Sequence, residues 1–278
     1  MNAIEIKNLS KHYKNFTLDN LNLTLPSGCV MGLIGRNGAG KTTTMKLLID
    51  AIVPSNGRIT ILVKDNRNFK IKEDIGIVLD DTGFCEAFKA KQINTFFKLS
   101  YKNWDEKYFY EMLDRLSVPT DTKFAEMSRG TKTKLLIAAA LSHKPKLLIL
   151  DEPTSGLDPV IRDEIMDIFT DFTRDDNHSI LISSHIVSDL EKICDYIAFL
   201  DNGKLMLCEE KDRLCEEYKI IQCSKEQLSE IGRDKIVGSK VSKYSAQAIL
   251  RQEDIPRGFE AMPVSIEELF LYMVKEEK

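Results

Sequence analysis

The segment Gly35-Arg36-Asn37-Gly38-Ala39-Gly40-Lys41-Thr42 constrains this chain more than any other. It follows the apolar run Cys29–Ile34 and precedes Met45, Leu48, Ile49 and Ile52, which fall at i, i+3, i+4 and i+7. A short apolar run reads as a buried strand, and the second pattern reads as a helix with one apolar face. Glycine costs backbone entropy and builds no core, so three of them at this junction need a reason other than packing. The pattern G-x-x-x-x-G-K-[ST] supplies one. Glycine-rich backbone can turn its N–H groups around a phosphate, and a helix starting at Lys41 adds the positive end of its dipole. Lys41 can reach the β- and γ-phosphates, and the Thr42 hydroxyl can join Mg²⁺. A plain Gly-rich connector does not account for the Lys-Thr pair. The expected ATP contacts are Gly35, Asn37, Gly38, Ala39, Gly40, Lys41, Thr42 and Thr43.

The rest of the chain alternates strands and helices. Leu21–Leu25 alternates with period two, and residues 58–63 (RITILV) begin another strand. From about Asp80 to Lys146 the pattern is helical, most clearly in NWDEKYFYEMLDRL and TKTKLLIAAALSHK. An apolar strand then ends in Asp151 and Glu152, and a helix follows with Ile161, Ile165, Ile168 and Phe172 on one face. SILISSH is a further buried strand, and its helix places Ile186, Leu190, Ile193 and Ile197 on one stripe. This order predicts an α/β fold with a mostly parallel sheet covered on both sides. Toward the C-terminus EEKDRLCEEY reads as a solvated helix and YKIIQC as a strand. Ser265 and Glu268 form a capping box for a last helix with Ile266, Leu269, Phe270 and Met273 on its apolar face.

Composition narrows the function classes. The net charge of −4 gives no nucleic-acid footprint and no basic membrane patch. No apolar run approaches the roughly 18 residues of a membrane span, and the N-terminus has no signal-peptide core, so a cytoplasmic location is expected. The six cysteines contain no C-x-x-C pair and read as reduced thiols.

A phosphate cradle needs a metal partner, and the strand ending in Asp151-Glu152 delivers one where ligands bind in open α/β sheets. Asp151 is the candidate for Mg²⁺ and Glu152 the candidate general base for the attacking water.

With these motifs in this order, residues 1 to about 205 resemble the ATP-binding subunit of an ABC transporter. Met127–Thr131 (MSRGT) stands where that family has L-S-G-G-Q, Ser155–Asp158 (SGLD) resembles its D-loop, and His185 its switch histidine. The resemblance implies a P-loop ATPase cassette with an N-terminal antiparallel β part and a helical subdomain at about 80–146. The cassette would span 1–208 and a small C-terminal α/β extension 209–278. It implies that Ser128, Arg129 and Gly130 face ATP held by a second cassette, that Asp158 lies at the dimer contact, and that His185 meets the γ-phosphate. A helix cap is the alternative for Ser128 and for Asp158, and an ordinary partly buried histidine for His185. Tyr13 would stack on adenine, with Phe16 as its rival.

Two positions depart from the family pattern. Asp80 replaces the glutamine, leaving a shorter anion that can still reach Mg²⁺ or its water, and Arg129 replaces the first signature glycine. The expected cofactors are ATP and Mg²⁺. The expected partners are a second cassette and a multispanning permease, with no nucleic acid. The terminal helix resembles those of ABC-2-type exporters, whose cargo includes peptides and antimicrobials. A soluble ABC ATPase is the competing reading; the single cassette without heptads argues against it. The absence of a guanine-reading N-K-x-D argues against a GTPase.

Overall fold

Strand burial separates two kinds of sheet in the first of the chain's two units, Met1–Leu207. The computed structural model describes residues 1–79, 84–243 and 245–275. In chain order the first unit runs β1 (Asn2–His12), β2 (Thr17–Pro26), β3 (Val30–Ile34), α1 (Lys41–Leu48), β4 (Asn56–Ile61), β5 (Lys64–Asp65) and β6 (Ile75–Val78). It continues with α2 (Ala90–Ser100), α3 (Glu106–Arg115), α4 (Arg129–Leu141), β7 (Leu147–Asp151), α5 (Pro159–Phe172), β8 (Ser179–Ser184), α6 (Val187–Ile193), β9 (Tyr196–Asp201) and β10 (Lys204–Glu210).

β3, β7 and β8 are buried at every residue, the signature of strands covered on both faces. They belong to a sheet of order β10-β9-β3-β8-β7-β6, parallel from β9 through β6. β2 instead buries Leu18, Leu21, Leu23 and Leu25 and exposes residues between them. It lies in an antiparallel sheet of order β2-β1-β4-β5. Met31, Leu33, Ile149, Ile180 and Leu181 are wholly withdrawn from water, each such side chain contributing about 1.5–3 kcal/mol.

Several expected boundaries move. α1 stops at Leu48; Ile49 caps it, and Ile52 lies beyond. β4 ends at Ile61, because Leu62 and Val63 take left-handed φ of 46° and 62° in the turn to β5. α5 buries Ile165, Met166, Ile168 and Phe169, while Ile161 and Phe172 stay partly exposed. α6 ends at Ile193, so Ile197 belongs to β9 and Ile186 is the N-cap. The chain is turned there by Asp195, whose carboxylate accepts from Val30 N at 2.8 Å and whose amide donates to Val30 O at 2.9 Å.

The second unit, Cys208–Lys278, adds α7 (Lys211–Glu217), β11 (Tyr218–Cys223), α8 (Lys225–Glu230), β12 (Ile236–Val241), β13 (Ala246–Arg251), β14 (Ala261–Pro263) and α9 (Ile266–Lys275). Its antiparallel sheet has the order β12-β13-β11-β14. One face closes over Ile221, Ile231, Ala248 and Leu250. The capping box forms: Glu268 N donates to Ser265 Oγ at 3.2 Å and Ser265 N to Glu268 Oε2 at 3.0 Å. On α9, Ile266, Leu269, Phe270 and Val274 are buried, and Met273 is only partly so. No disulfide forms among the described residues, and no helix there is long and apolar enough to cross a membrane.

His143, just past α4, is 2% exposed, stacks on Tyr101 and has Nε2 3.1 Å from Ile75 O. Burial holds its pKa below the ordinary 6.5, so the folded chain keeps it neutral. The unfolded chain takes up that proton first as pH falls, so this contribution is whole above about 6.5 and is lost below it, by at most about 1.4 kcal/mol per pH unit. Urea midpoints between pH 7.5 and 5 should therefore fall less steeply for His143→Phe than for the parent; parallel slopes would contradict the assignment.

Candidate functional site

β3, β8 and β7 are neighbours in the central sheet, and the chemistry-bearing residues all leave their carboxyl ends. The glycine-rich loop follows β3, His185 follows β8, and Asp151-Glu152 close β7. Such strand ends are where open α/β sheets bind ligands.

The loop is fixed by backbone contacts. A Cβ on Gly35 would sit 2.5 Å from Leu200 O, so only glycine lets the loop lie against the end of β9. Gly40 has φ of 113° and caps α1 without a side-chain acceptor. The first-turn amides of α1 are thus left for an anion. Ala39 N donates to Arg36 O at 3.1 Å, and buried Ala39 and Gly35 shape the loop from beneath. Asn37, Gly38, Gly40, Lys41, Thr42 and Thr43 line an open cleft of about 540 Å³ together with Asn15, Phe16, Arg36 and Glu152. Phe16 lies against Gly40. Tyr13 is 46% exposed, with its ring centroid 6.5 Å from that of Phe16. Of the two candidate aromatics, Phe16 is the one in the cleft wall.

Lys41 folds over the loop. Its Nζ donates to Gly35 O at 2.7 Å and to Arg36 O at 3.3 Å and lies 3.1 Å from Glu152 Oε1. The last contact is an ion pair by distance but is not aligned as a hydrogen bond, so Oε1 keeps its acceptor capacity. Oε2 of the same carboxylate lies 2.6 Å from His185 Nδ1, which donates to it. Glu152 therefore touches the loop lysine and the histidine at once. Its backbone holds a left-handed φ of 51°, uncommon for a non-glycine residue and a form of strain that concentrates at functional sites.

Ser183 was not singled out by sequence, yet it organises both acids. Its hydroxyl donates to Asp151 Oδ1 at 2.5 Å and accepts from Glu152 N at 3.0 Å. A serine inside an apolar strand carries no motif; a fully buried hydroxyl beside two acids is the cue. Asp151 is 1% exposed and its Oδ2 is buried with no hydrogen-bond partner. A buried, half-satisfied carboxylate is a donor of the kind that fits a hard cation such as Mg²⁺. Asp80 lies outside the described residues.

The remaining candidates sit at helix starts. Ser128 caps α4, accepting from Thr131 N at 3.2 Å, with exposed Arg129 and buried Gly130 opening the helix. The Arg129 guanidinium packs on Gly156, where a Cβ would stand 3.0 Å from Nη1. Asp158 caps α5, accepting from Val160 N and Ile161 N at 3.1 Å each. Both caps are present within one chain, and both residues remain exposed.

Comparison with known proteins agrees with this geometry. The family model described as "ABC transporter" matches residues 18–155. The ABC transporter ATP-binding protein YtrB of Bacillus subtilis is 31% identical over 96% of this chain and 97% of its own length. The bacitracin transport ATP-binding protein BcrA of Bacillus licheniformis is 36% identical over 73% of this chain and 68% of its own. A bacterial ABC transporter cassette solved as a dimer shares the fold with a TM-score of 0.67 and 22% identity, over 74% of this chain and 98% of that one.

Removing the Ser183 hydroxyl leaves a buried Asp151 oxygen without its donor, while the Glu152 amide keeps its bond to Ser183 O at 3.2 Å. Ser183→Ala should cost about 1–3 kcal/mol, read as a lower urea midpoint; an unchanged midpoint would mean that these bonds do not hold the acids.

Proposed function

This chain belongs to the ABC transporter family as an ATP-binding subunit, and from that premise we propose how its residues bind and hydrolyse ATP. The reading is carried by one observation: the α1 amides, Lys41, Asp151, Glu152 and His185 converge at the ends of three adjacent parallel strands. The phosphates lie in the loop Gly35–Thr43. Lys41 turns from Glu152 toward the β- and γ-phosphates, an exchange of one anionic partner for another. The base rests on the aromatic wall of Phe16, with Tyr13 at its rim. Thr42 and Asp151, with Asp80, would hold Mg²⁺, which would supply positive charge to the phosphate oxygens.

Glu152 acts as general base. It takes a proton from water as the water oxygen bonds to the γ-phosphorus and the bond to the bridging oxygen of ADP breaks. His185 Nδ1 holds the Glu152 carboxylate in place at 2.6 Å. Its other ring nitrogen is then the atom available to the γ-phosphate.

One chain supplies one loop and one MSRGT helix start, so the complete site takes two cassettes. Ser128, Arg129 and Gly130 of one face the ATP of the other, where the dipole of α4 adds positive potential, and Asp158 lies at the contact. Contacts made only in the ATP-bridged pair give the differential affinity a switch requires. α2 exposes Phe96 (50%) and Leu99 (85%), an apolar edge suited to a membrane-spanning partner. Through that partner the chain works on the cytoplasmic side of the membrane. Likeness to a bacitracin transport subunit supports export of a peptide, antimicrobial or lipid-like compound.

Glu152→Gln should lower kcat by about 10²–10⁴-fold while ATP still binds, and should accumulate an ATP-bound dimer on size exclusion. Hydrolysis at the parental rate would remove Glu152 from the role of base.

A further inference from the structure

We infer that Arg162 on α5 and Asp189 on α6 are positioning residues for hydrolysis, holding the His185 segment in register with the turn that carries Asp158. The inference rests on the roles proposed above for Glu152 and His185. Arg162 lies one helical turn after Asp158, and its N–H donates to Asp158 O at 3.0 Å. Asp189 lies in the first turn of α6, four residues after His185, and is 8% exposed. Arg162 Nη1 is 3.6 Å from Asp189 Oδ2, and this oxygen and Arg162 Nε are both buried without a hydrogen-bond partner.

Asp189 is the buried member of the pair and Arg162 is partly buried, so losing the arginine would leave a largely buried carboxylate uncompensated. A second bridge, Lys192 to Asp163 at 3.2 Å, joins the same two helices. Its side chains are 62% and 68% exposed, so solvent screens it and it contributes little. The Arg162–Asp189 pair, with side chains 24% and 11% exposed, is therefore the less screened ionic contact resisting a slide of α6 along α5. A slide of α6 would carry His185 with it, and His185 is bonded to Glu152 at 2.6 Å. The path from Arg162 to the general base thus runs through one ion pair, the short chain segment from Asp189 back to His185, and the His185–Glu152 bond, and neither Arg162 nor Asp189 lines the nucleotide cleft.

The test is steady-state ATP hydrolysis by the full chain, with melting temperatures measured in parallel. Asp189→Asn should lower kcat about tenfold or more with KM for ATP within about twofold, because a displaced base costs turnover rather than ground-state binding. Asp189→Glu, which keeps the charge, should recover most of the loss, and Lys192→Ala should leave kcat unchanged. An Asp189→Asn chain that melts lower yet keeps the parental kcat while folded would overturn the inference, as would an equal loss in Lys192→Ala. Should the single variant fail to fold, the double variant Arg162→Met, Asp189→Leu preserves packing volume without charge. A depressed kcat in it supports the inference and a parental kcat overturns it. Glu152→Gln run alongside separates the two claims: parental turnover there sinks the base assignment and the inference together. An inactive Glu152→Gln beside unimpaired Asp189 variants sinks the inference alone.

Discussion

The structure depends on how a buried parallel strand hands over to the start of a helix. β3 is locked between β8 and β9, so the loop that leaves it cannot drift. Gly35 lets that loop lie against Leu200, and Gly40 turns it into α1 in a conformation few other residues adopt. The unbonded amides of the first turn of α1 then face the cleft with a fixed direction. Electrostatic binding of a phosphate is strong when donors are already in place and need no reorganisation, and a sheet-anchored helix start supplies that condition.

The acids obey the same constraint with the opposite sign. Two carboxylates at the end of a buried strand would be costly without compensation. Ser183 supplies a hydroxyl to Asp151, while Lys41 and His185 supply charge and a hydrogen bond to Glu152. One Asp151 oxygen stays unsatisfied, and Glu152 sits in a strained backbone conformation. These departures from an ideal interior fall at the candidate site, where a ligand would relieve them.

Much of this was legible in the sequence, for local reasons. Apolar runs gave β3, β7 and β8, alternation gave β2, and the Ser265–Glu268 capping box marked the start of α9. The loop motif named its own flanking elements. What escaped was decided by contacts distant in sequence. Ile197 continues the helical period of α6 but is claimed by β9, because Asp195 pairs with Val30. Leu62 and Val63 look like strand residues, yet Leu62 N donates to Ala3 O at 2.9 Å as the chain turns. Ser183, and the choice of Phe16 over Tyr13 in the cleft wall, depend on which strand ends meet, and no motif encodes that.

The central claim is that α1's first turn and Lys41 together cradle the phosphates of a nucleotide. Calorimetric titration of a slowly hydrolysed ATP analogue with Mg²⁺ into the parent chain and Lys41→Ala tests it most directly. The account predicts saturable binding to the parent and at least about tenfold weaker binding to the variant, equivalent to about 1.4 kcal/mol. Equal affinity of the two chains, or no binding to either, would contradict it.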